Sequence, residues 1–178
     1  MEAVFTPNEA AAFAYLSPKR VYKELEYRVI ESNSEIPRLP FVALIYLRAL
    51  KEIDFEFSVN YRTLIYQRLV KAWENHASNL EIAKFFVLQL DQINQELRDL
   101  IVGFNRWQEG LVSNAEVKGG EMVFPNSRLS VRHLGGILER GESPEVILED
   151  YPYLTAEDLQ FASLYVKAYP VMGRPKKG

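Results

Sequence analysis

Turn-forming residues divide the last third of the sequence so finely that long helices and long strands are excluded there. The pair Gly119-Gly120 predicts a turn, because Gly adopts left-handed backbone conformations without steric cost. After Pro125 the residues alternate well enough to predict a short strand that reaches Val131. This part of the chain must therefore begin with a tight turn and a strand of only a few residues.

Capping residues then predict three short helices. Residues 132–140 form the first, which ends at Gly141 because Gly tolerates the left-handed backbone that follows a helix. Ser143 followed by Pro is the usual start of a helix, and the next helix ends at Tyr151-Pro. Thr155, with acids in the first turn behind it, caps the third helix.

These signals together resemble the small domain at the C-terminus of VapB-type bacterial antitoxins. The family pattern is Gly-Gly, a strand ending in Arg-(Ile/Leu)-x-Val, a helix, Gly, Ser-Pro-Glu and Tyr-Pro-x-Leu-Thr. Asn126 and Ser127 replace the family's Gly and Thr, and Asn is the non-glycine residue best suited to a positive φ angle, so we expect the turn to be kept. The matching residues are Gly119, Gly120, Arg128, Leu129, Val131, Gly141, Ser143, Pro144, Glu145, Tyr151, Pro152, Leu154 and Thr155.

The N-terminal segment predicts two short helices separated by a turn. Thr6 and Glu9 form a capping box with Pro7 at the first helical position, and Ser17-Pro18 starts a second helix. This outline is that of a helix-turn-helix. The residue pattern of this segment is similar to that of the DNA-binding heads of MerR-like regulators and of antitoxins that carry the C-terminal module.

The resemblance implies that the second helix enters the major groove of DNA. Glu24 and Glu26 dilute the positive charge, although they are spaced to pair with basic residues on the solvent side. The alternative is a capped helical hairpin that packs on the rest of the protein and touches no DNA. The candidate DNA-binding residues are Ser17, Lys19, Arg20, Tyr22 and Lys23.

The middle of the chain predicts buried helices with short strands between them. Residues 41–52 are apolar on most sides, Ser58 caps a helix that reaches residue 75, and Asp91 caps a helix over 92–107. Strands are predicted at 54–57 and 85–88. In the second helix we expect Leu64, Ile65 and Leu69 to face inward and Arg62, Arg68 and Lys71 to face outward.

The fold class is therefore mainly α with short β-strands. The predicted divisions are a helix-turn-helix head at 1–36, a central helical region at 37–112, an antitoxin-associated domain at 113–170 and a basic tail at 171–178.

Composition narrows the function. A net charge of -3 argues against a protein that coats nucleic acid, and the absence of Cys excludes thiolate metal sites and cysteine nucleophiles. His76 and His133 are too far apart in sequence for a local metal pair, and no nucleophile with a neighbouring base is visible. We expect no enzyme activity, metal or cofactor. Without a signal-like N-terminus or a membrane-spanning apolar run, we expect a cytoplasmic protein that does not enter membranes.

Three classes of function remain open: an antitoxin that binds a PIN-type or PIN-like ribonuclease toxin and operator DNA, a MerR-like regulator without a toxin, and an adaptor that binds no DNA. A homodimer is expected, because a reader with one motif gains affinity from two half-sites. The tail is expected to insert into the toxin's acidic metal site, with a solvated tail as the alternative. The candidate residues are Arg128, Leu129 and Val131 for the dimer and Arg174, Lys176 and Lys177 for the toxin.

Overall fold

The computed structural model describes residues 4–32, 36–53, 56–113, 115 and 120–171. Of these described residues 59% are helical, and they also form short antiparallel strand pairs, which confirms the mainly α fold class. The chain forms two compact units, Met1–Ile101 and Val102–Gly178. The finer division into four segments stays a prediction.

The first unit begins with a short strand pair around two helices. Strand β1 pairs antiparallel with β2, and the two flank the helices α1 and α2 in sequence. A β-hairpin follows two longer helices, and the boundary between the units falls inside α5. The elements are β1 Val4–Phe5, α1 Pro7–Phe13, α2 Pro18–Glu26, β2 Leu39–Pro40, α3 Phe41–Glu52, α4 Val59–Glu74, β3 Asn79–Ala83, β4 Phe86–Gln89 and α5 Leu90–Glu109.

The predicted starts of α1, α2 and α4 are confirmed, because each cap is made by neighbouring residues. Thr6 and Glu9 form both hydrogen bonds of the capping box, and the Ser17 hydroxyl accepts from the N–H of Arg20. The Ser58 hydroxyl caps α4 in the same way. Helix α3 has the predicted bounds and is almost entirely buried, so it forms the centre of this unit's core.

Two inward and outward assignments on α4 are wrong. Leu64 is 45% exposed, whereas Arg62, which we expected in solvent, is only 7% exposed. The main cause is tertiary, since the buried Glu24 carboxylate on α2 accepts a hydrogen bond from Arg62, and the nearby carbonyl of Phe57 accepts a second one. Ile65 and Leu69 are buried as predicted.

Two strand predictions and one helix boundary also need correction. The strand expected at 85–88 runs from Phe86 to Gln89. Of the strand expected at 54–57, Asp54 and Phe55 lie outside the described residues, and Glu56 and Phe57 are not in a strand. Helix α5 starts before Asp91, because the carbonyl of Ser78 accepts from the N–H groups of Leu90 and Asp91.

The second unit consists of short helices and one small strand pair. Its predicted helix limits are confirmed: Ser143 and Thr155 cap their helices, and Gly141 has a φ of 88° where the first helix ends. Asn126 has a φ of 57°, as expected for the family's Gly position. The elements are β5 Val112–Ser113, β6 Met122–Val123, α6 Val131–Glu139, α7 Pro144–Asp150 and α8 Ala156–Ala168.

The strand predicted to reach Val131 is wrong beyond β6. Only one isolated bridge, Val123 to Ser130, continues the pairing. The turn at Asn126 reverses the chain so that the carbonyl of Leu129 accepts from the N–H of Phe124. The Ser130 hydroxyl then accepts from the N–H of His133 and starts α6. The N-capping serine competes with the strand and ends it.

One part of the second unit's core is aromatic. Phe104, Trp107 and Phe161 form a ring cluster with centroids 5.7 to 5.8 Å apart. The Trp107 indole also donates a 2.8 Å hydrogen bond to Asp158, the acid of the capping box of α8. The cap of α8 is therefore tied to the aromatic core.

Within the described part of the chain, no helix is both long and apolar enough to cross a bilayer.

Candidate nucleic-acid interface

Helix α2 presents one polar face to solvent and one face to the core. Lys19, Tyr22 and Lys23 are exposed, and their spacing of three and four residues places them on the same side of the helix. Val21 and Glu24 are buried on the opposite side. The exposed face combines two ammonium groups, which suit phosphate contacts, with a phenol that can reach a sugar or a base edge.

The structure separates the other two predicted DNA-binding residues from this face. Arg20 is half-buried, with its Nη2 atom 3.4 Å from Oε1 of Glu24, so its guanidinium is directed toward a buried carboxylate. Ser17 is exposed, but its hydroxyl caps the helix. Of the predicted set, Lys19, Tyr22 and Lys23 are therefore the residues best placed to touch a ligand.

Glu24 holds α2 against two other helices of the first unit. Its Oε2 atom accepts hydrogen bonds from the Tyr46 hydroxyl on α3 at 3.0 Å and from Nε of Arg62 on α4 at 3.1 Å. Nη1 of Arg62 also donates to the carbonyl of Phe57. Burial, and then the neighbouring Glu24 carboxylate, raise the pKa of Tyr46, so its hydroxyl stays protonated and donates.

We expected Glu24 to pair with a basic residue on the solvent side of α2, and that expectation is wrong in its location. Glu24 does pair with Arg20, but it is fully buried. Its spacing of three residues from the buried Val21 is the one sequence signal that places it on the inner face. Because Glu24 is polar, the sequence pattern did not show that its position lies on the inner face.

The predicted dimer residues lie mostly inside the second unit. Leu129 and Val131 belong to its hydrophobic core, together with Leu134 and Leu159. Their side chains are therefore not available to a second copy. Arg128 is exposed and lines an open groove of about 460 Å³ beside Pro125. Dimerisation itself stays a prediction, but Leu129 and Val131 cannot form its contact surface, so a dimer would have to use other residues.

The predicted toxin-binding residues Arg174, Lys176 and Lys177, and Gly119 of the predicted turn, lie outside the described residues. Among the residues that are described, no group of three or more His, Asp or Glu side chains is arranged to hold a metal ion.

Comparison with known proteins finds similarity in the C-terminal part. Residues 111–166 match a family described as a protein of unknown function, DUF433. The uncharacterized protein y4eO of Sinorhizobium fredii (strain NBRC 101917 / NGR234) is 34% identical over 67 residues, which are 38% of this chain and 30% of that relative. The similarity thus spans less than a third of the relative's length. No solved structure matches.

Proposed function

We propose that this protein is a DNA-binding antitoxin of a type II toxin-antitoxin system, which neutralises a PIN-type or PIN-like ribonuclease and represses its own operon. The observation that carries the DNA-binding part is the exposed face of α2, where Lys19, Tyr22 and Lys23 project from a helix held by buried Glu24. The antitoxin part is supported by the resemblance of the C-terminal segment to VapB-type antitoxins. The DUF433 match at 111–166 covers most of that segment.

The anchoring of α2 favours a role in binding DNA over a merely packed helical hairpin. A recognition helix needs a rigid base, because base and phosphate contacts require side chains held in a fixed register. Glu24 provides that base through Tyr46 and Arg62, while the two lysines remain in solvent. The same face also exposes Glu26, so the two lysines individually, rather than the net charge of the helix, would make the phosphate contacts.

Replacing both Lys19 and Lys23 with Ala should weaken binding to the DNA upstream of the protein's own gene by at least about tenfold. Each lysine that contacts a phosphate releases a counterion, so the slope of log affinity against log salt should also fall by about two. Fluorescence anisotropy over a salt series measures both quantities. The matched control replaces Lys51 and Lys167, exposed lysines on α3 and α8, with Ala. Equal losses in the two double variants would reject α2 as the DNA contact.

The tail is expected to silence the toxin through its positive charges. PIN-type nucleases hold metal in a carboxylate cluster, which a guanidinium or ammonium group can occupy. Co-expressed with the product of the adjacent open reading frame, the full chain should co-purify with that product and inhibit its ribonuclease activity. A chain truncated after Met172 should still bind but leave the ribonuclease active. Full inhibition by the truncated chain would move the inhibitory contact elsewhere, and failure of the full chain to co-purify would reject the antitoxin.

The second candidate is a MerR-like regulator without a toxin. It is favoured by one observation: the candidate DNA-binding face and its anchors all lie in the first unit, whereas the family match covers only residues 111–166 of the second unit. The adaptor class predicts no DNA binding at all. DNA binding without co-purification would establish the regulator, and co-purification without DNA binding would leave a toxin-binding protein that does not regulate.

A further inference from the structure

The β3–β4 hairpin exposes an apolar, uncharged edge that the proposed function does not use. β4 begins after the turn residue Phe85, and Val87 within it is more than half exposed. From Phe85 to Leu90 the sequence contains no ionisable side chain. Proteins usually protect an exposed strand edge with charge, proline or a covering segment.

We propose that this edge pairs with the same edge of a second copy, so that β4 strands of two chains run antiparallel across a two-fold axis. Within the described residues, β4 pairs only with β3. An antiparallel strand edge is complementary to its own copy, since a two-fold axis places the same donors and acceptors opposite one another. A two-fold axis at Val87 places that residue opposite its own copy and Phe86 opposite Leu88, and the uncharged β4 avoids the repulsion that charges close to the axis would cause.

The hairpin is held firmly enough to present this edge. The carbonyl of Ile82, a buried residue of β3, accepts from the Tyr61 hydroxyl at 2.6 Å and from Arg68 Nη1 at 3.4 Å. Arg68 Nη2 donates to the carbonyl of Glu81 as well. These bonds attach β3 to α4, so the hairpin tip projects from a fixed base.

The exposure and the backbone conformation of Phe85 favour a binding role for this hairpin. It is 87% exposed and has a φ of 76°, a conformation that side chains rarely adopt. It ends the two-residue turn between paired Ala83 and Phe86, at a position where Gly or Asn is usual. A Phe at this position strains the backbone and exposes a large apolar ring. Within the hairpin, the ring makes one cation–π contact, with the Lys84 ammonium. The backbone outlier therefore points to a function in contact.

The exposed apolar area matches a weak dimer. Phe85, Phe86 and Val87 are 87%, 46% and 56% exposed. They offer at most roughly 350 Å² per copy, or about 700 Å² for a pair, which is too little for a stable interface and suits only a transient one. We expect a reversible dimer with a dissociation constant in the micromolar range. The dimer stands on the hairpin alone, and only its use in bringing two α2 helices to two DNA half-sites rests on the proposed function.

Sedimentation velocity of the full chain from about 1 to 100 µM tests the dimer without DNA. Phe85→Gly should weaken dimerisation at least about tenfold. Its melting temperature should be unchanged or higher, because Gly relieves the backbone strain. The control Tyr153→Ser removes an exposed aromatic ring from the second unit and should leave the dimer intact. A wild-type chain that stays monomeric at 100 µM, or a Phe85→Gly chain that dimerises equally well, would overturn the proposal.

A charge-swap experiment tests the self-pairing directly. Val87→Lys and Val87→Glu should each be monomeric over this range, since a two-fold axis brings like charges together. An equal mixture of the two should dimerise, whereas a mixture that stays monomeric would argue against edge-to-edge pairing. Operator binding by the same chains separates the two proposals. A dimer that binds no operator DNA removes the proposed DNA-binding function and leaves the dimer standing.

Discussion

Arg62→Ala is expected to lower the free energy of unfolding by about 3–5 kcal/mol, because it leaves the buried carboxylate of Glu24 without its partner on α4. Arg62 Nε donates to Glu24 at 3.1 Å, and the Glu24 side chain is fully buried. The Tyr46 hydroxyl and Arg20 would remain as partners, but one of them contributes a neutral hydroxyl and the other is partly solvated. Urea unfolding at neutral pH measures the loss.

Two controls separate this effect from the simple removal of an arginine. Arg48→Ala removes ion pairs with the exposed Glu52 and Glu96 and a cation–π contact with Tyr15, and it should cost less, about 1–2 kcal/mol. The double variant Glu24→Leu with Arg62→Met removes both buried charges and should be more stable than Arg62→Ala alone. If Arg62→Ala costs no more than Arg48→Ala, the buried network does not anchor α2 and the rigid base that we propose for Lys19 and Lys23 is lost.

Gly135→Ala is expected to destabilise the second unit by about 3 kcal/mol, at the upper end of the range for overpacked cores. A methyl group on Gly135 would collide with the Val166 side chain and lie 2.8 Å from the carbonyl oxygen of Ala162. Both residues belong to α8, so α6 and α8 touch at this glycine. A side chain can rotate away, but the carbonyl belongs to the backbone, and the two helices would have to separate.

The next residue in the same helix gives a matched control. A methyl group on Gly136 would meet only the end of the Arg140 side chain, at 3.6 Å. Gly136→Ala should therefore raise stability by up to about 1 kcal/mol, since Ala favours the helix over Gly. Adding Val166→Ala to Gly135→Ala should restore only part of the loss, because the Ala162 carbonyl remains. Thermal unfolding of the four chains checks the order, and equal effects at the two glycines would contradict the close contact between the helices.

Local sequence signals were sufficient to predict most of the helix starts. A cap such as Ser17, Ser58 or Ser143 is made by a hydroxyl and an N–H group three residues later. Such a hydrogen bond needs no other part of the protein, and the same is true of the positive φ angles at Asn126 and Gly141. These features were readable because the residues that make them are neighbours in the chain.

Which polar residues are buried, and which apolar residues are exposed, depends on contacts between distant parts of the chain. Glu24 is buried because Tyr46 and Arg62, 22 and 38 residues away, provide its hydrogen bonds. Val131 is in a helix and not in the predicted strand, because the preceding turn places Ser130 where it caps α6. The Val131 side chain lies in the core. Phe85 shows the reverse case, an apolar residue held in solvent by a hairpin fixed to α4. Periodicity reports the average environment of a residue type, whereas burial depends on partners that only the folded chain brings together.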